Sequence, residues 1–104
     1  MAYFIRLVRF TPEGLKELGQ FRAKRAAFLE QCKRLGISLV AEYITAGEYD
    51  LVTILEAHNL DTILQLNAIS GAKGRTTGIT MAAIPAKDFE RVAESMYEVP
   101  ISTA

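Results

Sequence analysis

Tyr49 and Asp50 stand side by side where two apolar runs, Ile37 to Ala46 and Leu51 to Ala57, meet beside Gly47. An aspartate there can accept a hydrogen bond from a ligand amine or a partner's arginine, with the tyrosine as an amphipathic interface contact. It can equally cap the turn through local backbone bonds. Arg25 interrupts a helical stripe of Leu18, Phe21, Phe28, Cys32 and Leu35. A guanidinium in that position must snorkel, pair with Asp50 or Glu42, or bind an anion. Tyr43 and Thr45 alternate along one extended run and Thr76 and Thr80 along another, with Thr53 on the run between. If these faces coincide in a barrel interior, the hydroxyls line a small pocket with apolar walls; threonine is also simply a good strand former. Glu56, His58 and Asp61 have a carboxylate–imidazole–carboxylate order that suits a metal, but a lone histidine in a solvent-facing loop explains them without one. No metal or other cofactor is expected, and phosphate-loop, catalytic-triad and zinc-finger spacings are absent.

The chain that must position these groups has 104 residues, enough for one domain with one core. Half its residues are apolar, and Lys+Arg and Asp+Glu both number 12, so the formal charge is zero. That balance carries no electrostatic footprint for nucleic acid or an anionic membrane, and neither is expected as a partner. Cys32 is the single cysteine and falls in the helical stripe, which makes it a small core hydrophobe in a reducing compartment. With no signal-peptide pattern and no apolar run near the length of a membrane span, a soluble cytoplasmic protein is expected.

Ala2 to Phe10 reads as a strand with apolar residues on both faces, interrupted only by Arg6 and Arg9. Thr11-Pro12-Glu13 supplies a hydroxyl cap, a proline and a first-turn acid for a helix predicted to run on to Leu35, where Gly36 ends it. Ile37–Ala46 and Asp50–Ala57 read as an antiparallel hairpin turning at Gly47. Asn59 caps a second helix from Leu60 to about Ser70, with Leu60, Ile63, Leu64, Leu66 and Ile69 as its apolar residues. Arg75 to Ile84 is a fourth strand, and Ala86 to Tyr97 a last helix with Phe89, Val92, Ala93 and Met96 on one face. Residues 1–97 are thus expected to form a single domain and 98–104 a tail without periodicity.

The order βαββαβ plus a C-terminal helix closes as an α+β, ferredoxin-like fold: a four-stranded antiparallel sheet with both long helices on one face. The first and third strands are apolar on both faces, as in Val52 and Ile54 against Leu51 and Leu55, so something must cover the second face. A second copy packed sheet to sheet is the economical solution, and a homodimer or a multiple of dimers is expected. The competing arrangement folds the last helix and tail over that face.

Several of these positions together resemble the GYD domain family: the opening strand, Thr11-Pro12-Glu13-Gly14, Arg25, Gly36, Tyr43, Gly47-Glu48-Tyr49-Asp50, Glu56-Ala57 and the threonine-rich fourth strand. The resemblance spans nearly the whole chain and implies a ferredoxin-like fold of the dimeric α+β barrel type, in a family largely without assigned activity. Where the family tends to place a proline and an acid after Glu-Ala, this chain has His58-Asn59. Residues 43–84 are also similar to the effector-binding domains of Lrp/AsnC regulators, which bind amino acids at subunit interfaces.

The function expected is therefore that of a small homodimeric domain binding a small metabolite at or near the intersubunit barrel, in a sensing or regulatory role. Arg25, Tyr43, Thr45, Tyr49, Asp50, Thr53, Thr76 and Thr80 are the candidate ligand contacts. A small cofactor-independent enzyme of the monooxygenase or isomerase type on the same barrel is the alternative.

Overall fold

Alternation along β1 (Ala2–Phe10) sends Phe4, Arg6 and Val8 to one side, where all three are buried, and Tyr3, Ile5 and Leu7 to the other. These positions come from a computed structural model that describes residues 1–98. The expected tail lies outside the described residues apart from Glu98, which ends the last helix.

Thr11 caps the next element as its sequence implies, its hydroxyl accepting from the Gly14 amide at 3.1 Å. The single helix expected from here to Leu35 is instead two, α1 (Pro12–Lys16) and α2 (Phe21–Arg34), joined by a 3-10 turn over Leu18–Gln20. Tertiary contacts flank the break. The Glu17 carboxylate lies between Lys24 Nζ at 2.9 Å and Arg75 Nε at 2.6 Å, and the Thr11 amide donates to the Arg75 carbonyl at 3.0 Å. These bonds hold α1 against the start of the fourth strand, and Gly19, a poor helix former, lies within the turn that separates α1 from α2. Gly36, at φ +73°, ends α2 in the left-handed conformation expected of it.

β2 (Ser38–Ile44) is shorter than the strand read from sequence, β3 (Leu51–Ala57) coincides with its apolar run, and a register shift between Leu39 and Ala41 interrupts their pairing. Gly47, at φ +133°, makes the turn between them. The Asn59 side chain caps α3 (Leu60–Ala72), accepting from the Thr62 amide at 3.0 Å. β4 (Thr76–Ala83) and α4 (Ala86–Glu98) complete the described chain. All strand pairs are antiparallel and the order is β2-β3-β1-β4. With its βαββαβ sequence of elements, this is the ferredoxin-like fold.

The core occupies one half of the space between helices and sheet, where Phe4, Cys32, Ile37, Leu55, Ala57, Ile63 and Leu66 pack together. Leu60 and Leu64, expected among the apolar contacts of α3, are exposed; only Ile63 and Leu66 of that helix are buried. The opposite face of the sheet leaves Ile79 and Met81 exposed, and α4 leaves Phe89, Val92 and Met96 exposed. α4 thus does not close that face. The described chain measures 58 × 30 × 24 Å with a radius of gyration of 17.2 Å, against about 13 Å for a compact domain of this length.

Candidate functional site

Cross-strand register decides which polar side chains meet. Glu42 pairs with Thr53, Thr53 with Arg6, and Arg6 with Thr80, so one row of four polar residues crosses every strand of the sheet. All four point toward the helices, on the face where Phe4 and Leu55 enter the core. At this row the core stops and a cavity of about 140 Å³ begins. Its walls include Val8, Phe10, Leu18, Phe21, Phe28 and Leu51, with Gly14 and Thr76 at the α1 end.

Arg6 is the central group, only 7% exposed although it carries a full charge. Its Nε donates to Asn67 Oδ1 at 3.1 Å, and Asn67 Nδ2 donates in turn to Thr80 Oγ1 at 3.0 Å. The guanidinium carbon stands 5.3 Å from the centroid of the Phe28 ring, a cation–π contact. Among the described residues no carboxylate forms an ion pair with Arg6 and its two terminal nitrogens have no hydrogen-bond partner. Burial lowers its pKa, while Cys32 and Glu42 oppose that shift; an arginine remains a cation through such changes. Beside it, Thr53 is fully buried and its hydroxyl has no hydrogen-bond partner.

Five cations line the cavity, Arg6, Lys24, Arg25, Lys73 and Arg75, against two carboxylates, Glu17 and Glu42. Both acids are already engaged. Glu42, with only 10% of its side chain exposed, accepts from Arg25 Nε, so the arginine of the helical stripe is paired as one sequence reading required. Glu17 bridges Lys24 and Arg75, and its pKa is lowered by the Lys24 hydrogen bond and the nearby Arg75 charge, burial acting in the opposite sense. The charge excess of this cavity is invisible in the chain's neutral total. Cys32 lies close by, its thiol pushed up to about 11 by burial, which leaves it protonated and unreactive at neutral pH.

The sequence-derived candidates divide. Arg25, Thr53 and Thr76 line the cavity, and Thr80 joins it through Asn67 and lines an adjoining cavity of about 630 Å³ between α3 and β4. Tyr43 and Thr45 do not line either one; strand alternation puts them on the opposite face, so the five hydroxyls do not gather in one pocket. Tyr49 and Asp50 are also elsewhere. Asp50 Oδ2 accepts from the Phe10 amide, its own amide donates to Val8 O, and its carbonyl accepts from Thr45 N, each at 2.9 Å. It ties β1 to the hairpin. Thr45 Oγ1 donates to the Tyr49 carbonyl at 2.6 Å, and the Tyr49 ring lies under Arg9, which pairs with Glu48 at 2.8 Å. His58 is exposed, and no three His, Cys, Asp or Glu side chains among the described residues come together as a metal site.

Arg6 and Asn67 are the site residues that sequence reading missed. The signal for Arg6 was present: it shares its strand face with Phe4, Val8 and Phe10, as a charge in an apolar row. Asn67 gave none, because only the packing of α3 on the sheet brings it to Arg6.

The pattern of the GYD domain, a family described by that name alone, matches residues 4–93. The chain belongs to the GYD domain family. It is also 30% identical over 78 residues to a protein of Thermus thermophilus named glutamine synthetase and cystathionine beta-lyase binding protein, an alignment covering 75% of this chain and 73% of that one. Among solved structures, FFRP-DM1 aligns with a TM-score of 0.56 at 22% identity, over 81% of this GYD chain and all of the other. The hypothetical protein PHS023 of Pyrococcus horikoshii gives 0.52 at 22% identity, over 82% and 92%. These two likenesses establish the fold shared with the GYD chain.

Proposed function

We propose that this GYD protein is a non-catalytic regulatory module: a homodimer, sheet against sheet, whose subunits each hold a small metabolite between helices and sheet. The observation that carries the reading is the polar row beneath the cavity. A buried guanidinium without an ion-pair partner, beside a buried hydroxyl without a hydrogen bond, is expensive in a closed protein and accounted for in a site that receives a ligand. Binding rather than chemistry is favoured by the two shifted groups, Arg6 in the cavity wall and Cys32 in the adjoining core. Arg6 remains charged and Cys32 remains a thiol at neutral pH, so neither is poised to exchange a proton.

The relative from Thermus thermophilus, named for binding two enzymes, supports the same class of role. By analogy, the ligand-bearing dimer docks on a metabolic enzyme and reports the state of its pool. No helix of the described chain is long and apolar enough to cross a membrane.

A metabolite panel screened by thermal unfolding, with each mixture then analysed for conversion, tests the proposal. Stabilisation without turnover is expected. Consumption of a stabilising compound would replace this reading with the enzymatic one, and a panel without effect would remove the metabolite.

A further inference from the structure

The charges around the cavity narrow the ligand, given the small-molecule reading above. We propose that the site takes the carboxylate of a small apolar monoanion, a keto, hydroxy or aromatic acid, and discriminates against zwitterionic amino acids. The anionic head rests on Arg6 and Thr53, and the hydrocarbon part lies against Phe10, Phe21 and Phe28.

Three observations converge. Arg6 uses Nε for Asn67 and leaves its terminal nitrogens uncommitted, and these form the fork that matches a carboxylate in two parallel hydrogen bonds. Thr53, its cross-strand neighbour, offers a buried hydroxyl with nothing to bond. An amino acid would also need an acceptor for its ammonium, and both acids of the cavity are held by cations, Glu42 by Arg25 and Glu17 by Lys24 and Arg75. Arg6 is the buried member of the five cations and has no direct ion pair among the described residues, and its single fork fits one carboxylate group. The cavity, about 140 Å³, has room for a small acid.

Matched probes separate the alternatives: benzoate against benzamide, and 4-methyl-2-oxopentanoate against leucine, titrated calorimetrically into the full chain at constant ionic strength. Benzoate and the keto acid are expected to bind at least tenfold more tightly than their neutral and zwitterionic counterparts. Arg6→Met should abolish that preference. Thr53→Val, which keeps the shape of the side chain, should weaken benzoate severalfold while circular dichroism shows an intact fold, so the proposal stays exposed even if Arg6→Met does not fold. Equal binding of benzamide or leucine overturns the carboxylate assignment and leaves the small-molecule reading standing. Binding of none of the four overturns the assignment as well, and a blank metabolite panel would remove both. Undiminished benzoate binding by Thr53→Val also overturns it.

Discussion

Thr53 and Arg6 are residues whose local energetics run against stability. An unsatisfied buried hydroxyl costs about 1–3 kcal/mol, whereas an apolar group of the same shape costs nothing of the kind. Thr53→Val is accordingly expected to raise the stability of the ligand-free protein by about 1 kcal/mol in urea unfolding, an unusual gain for a core substitution. Loss of stability on that change would mean that the hydroxyl is satisfied in the protein. Cys32 supplies a pH test. Its folded pKa, about 11, is raised above the ordinary 9.0 by burial, so the folded state holds its proton more tightly than the unfolded chain. The contribution is complete below pH 9.0 and is lost as pH rises toward about 11. Unfolding measured from pH 8 to 11 should show a steeper decline for the native protein than for Cys32→Ala; parallel curves would contradict the burial argument.

Elements formed by local rules are those the sequence shows. The Thr11 and Asn59 caps, the left-handed Gly36, the Gly47 turn and the strand β1 all follow from residue types and alternation, and the structure reproduces them. The break between α1 and α2 was passed over because the apolar stripe continues through it, although Gly19 within it is a local signal, and the contacts of Glu17 and Thr11 with Arg75 that flank it are non-local. The polar row was hidden for the same reason. Pairing of β1 with β3 and β4 is non-local, so nothing near Arg6 in sequence announces Thr53 or Thr80 as its neighbours. Glycine substitutions test the α1 contact. A Cβ on Gly14 would sit 2.1 Å from the Arg75 carbonyl oxygen, a backbone atom. Gly14→Ala should therefore cost about 1–3 kcal/mol. Gly71, within α3, meets nothing within 4 Å. Gly71→Ala should leave stability unchanged or raise it by up to about 1 kcal/mol. Equal effects of the two in chemical denaturation would contradict the close approach of α1 to β4.

For the whole molecule, two apolar surfaces lack partners within the described chain. Ile79 and Met81 stand on the free face of the sheet, and Phe89, Val92 and Met96 on α4. Both belong to the same chain, so a twofold dimer can bury each against its mate. Its formation is expected in light scattering at micromolar concentration. Met81 is 42% exposed in the single chain, so Met81→Asp should weaken the dimer at least tenfold while leaving the subunit folded. A folded native monomer at that concentration would contradict the dimer.

The claim that the helix–sheet cavity is the ligand site meets its most direct test in chemical-shift mapping of the isotopically labelled protein with 4-methyl-2-oxopentanoate. The expected result is a saturable set of perturbations centred on the Arg6 guanidinium, the Thr53 methyl, Asn67 and the Phe28 ring. Perturbations confined to the free sheet face around Tyr43, Ile79 and Met81 would contradict it, and none at any concentration would contradict the carboxylate assignment of the site.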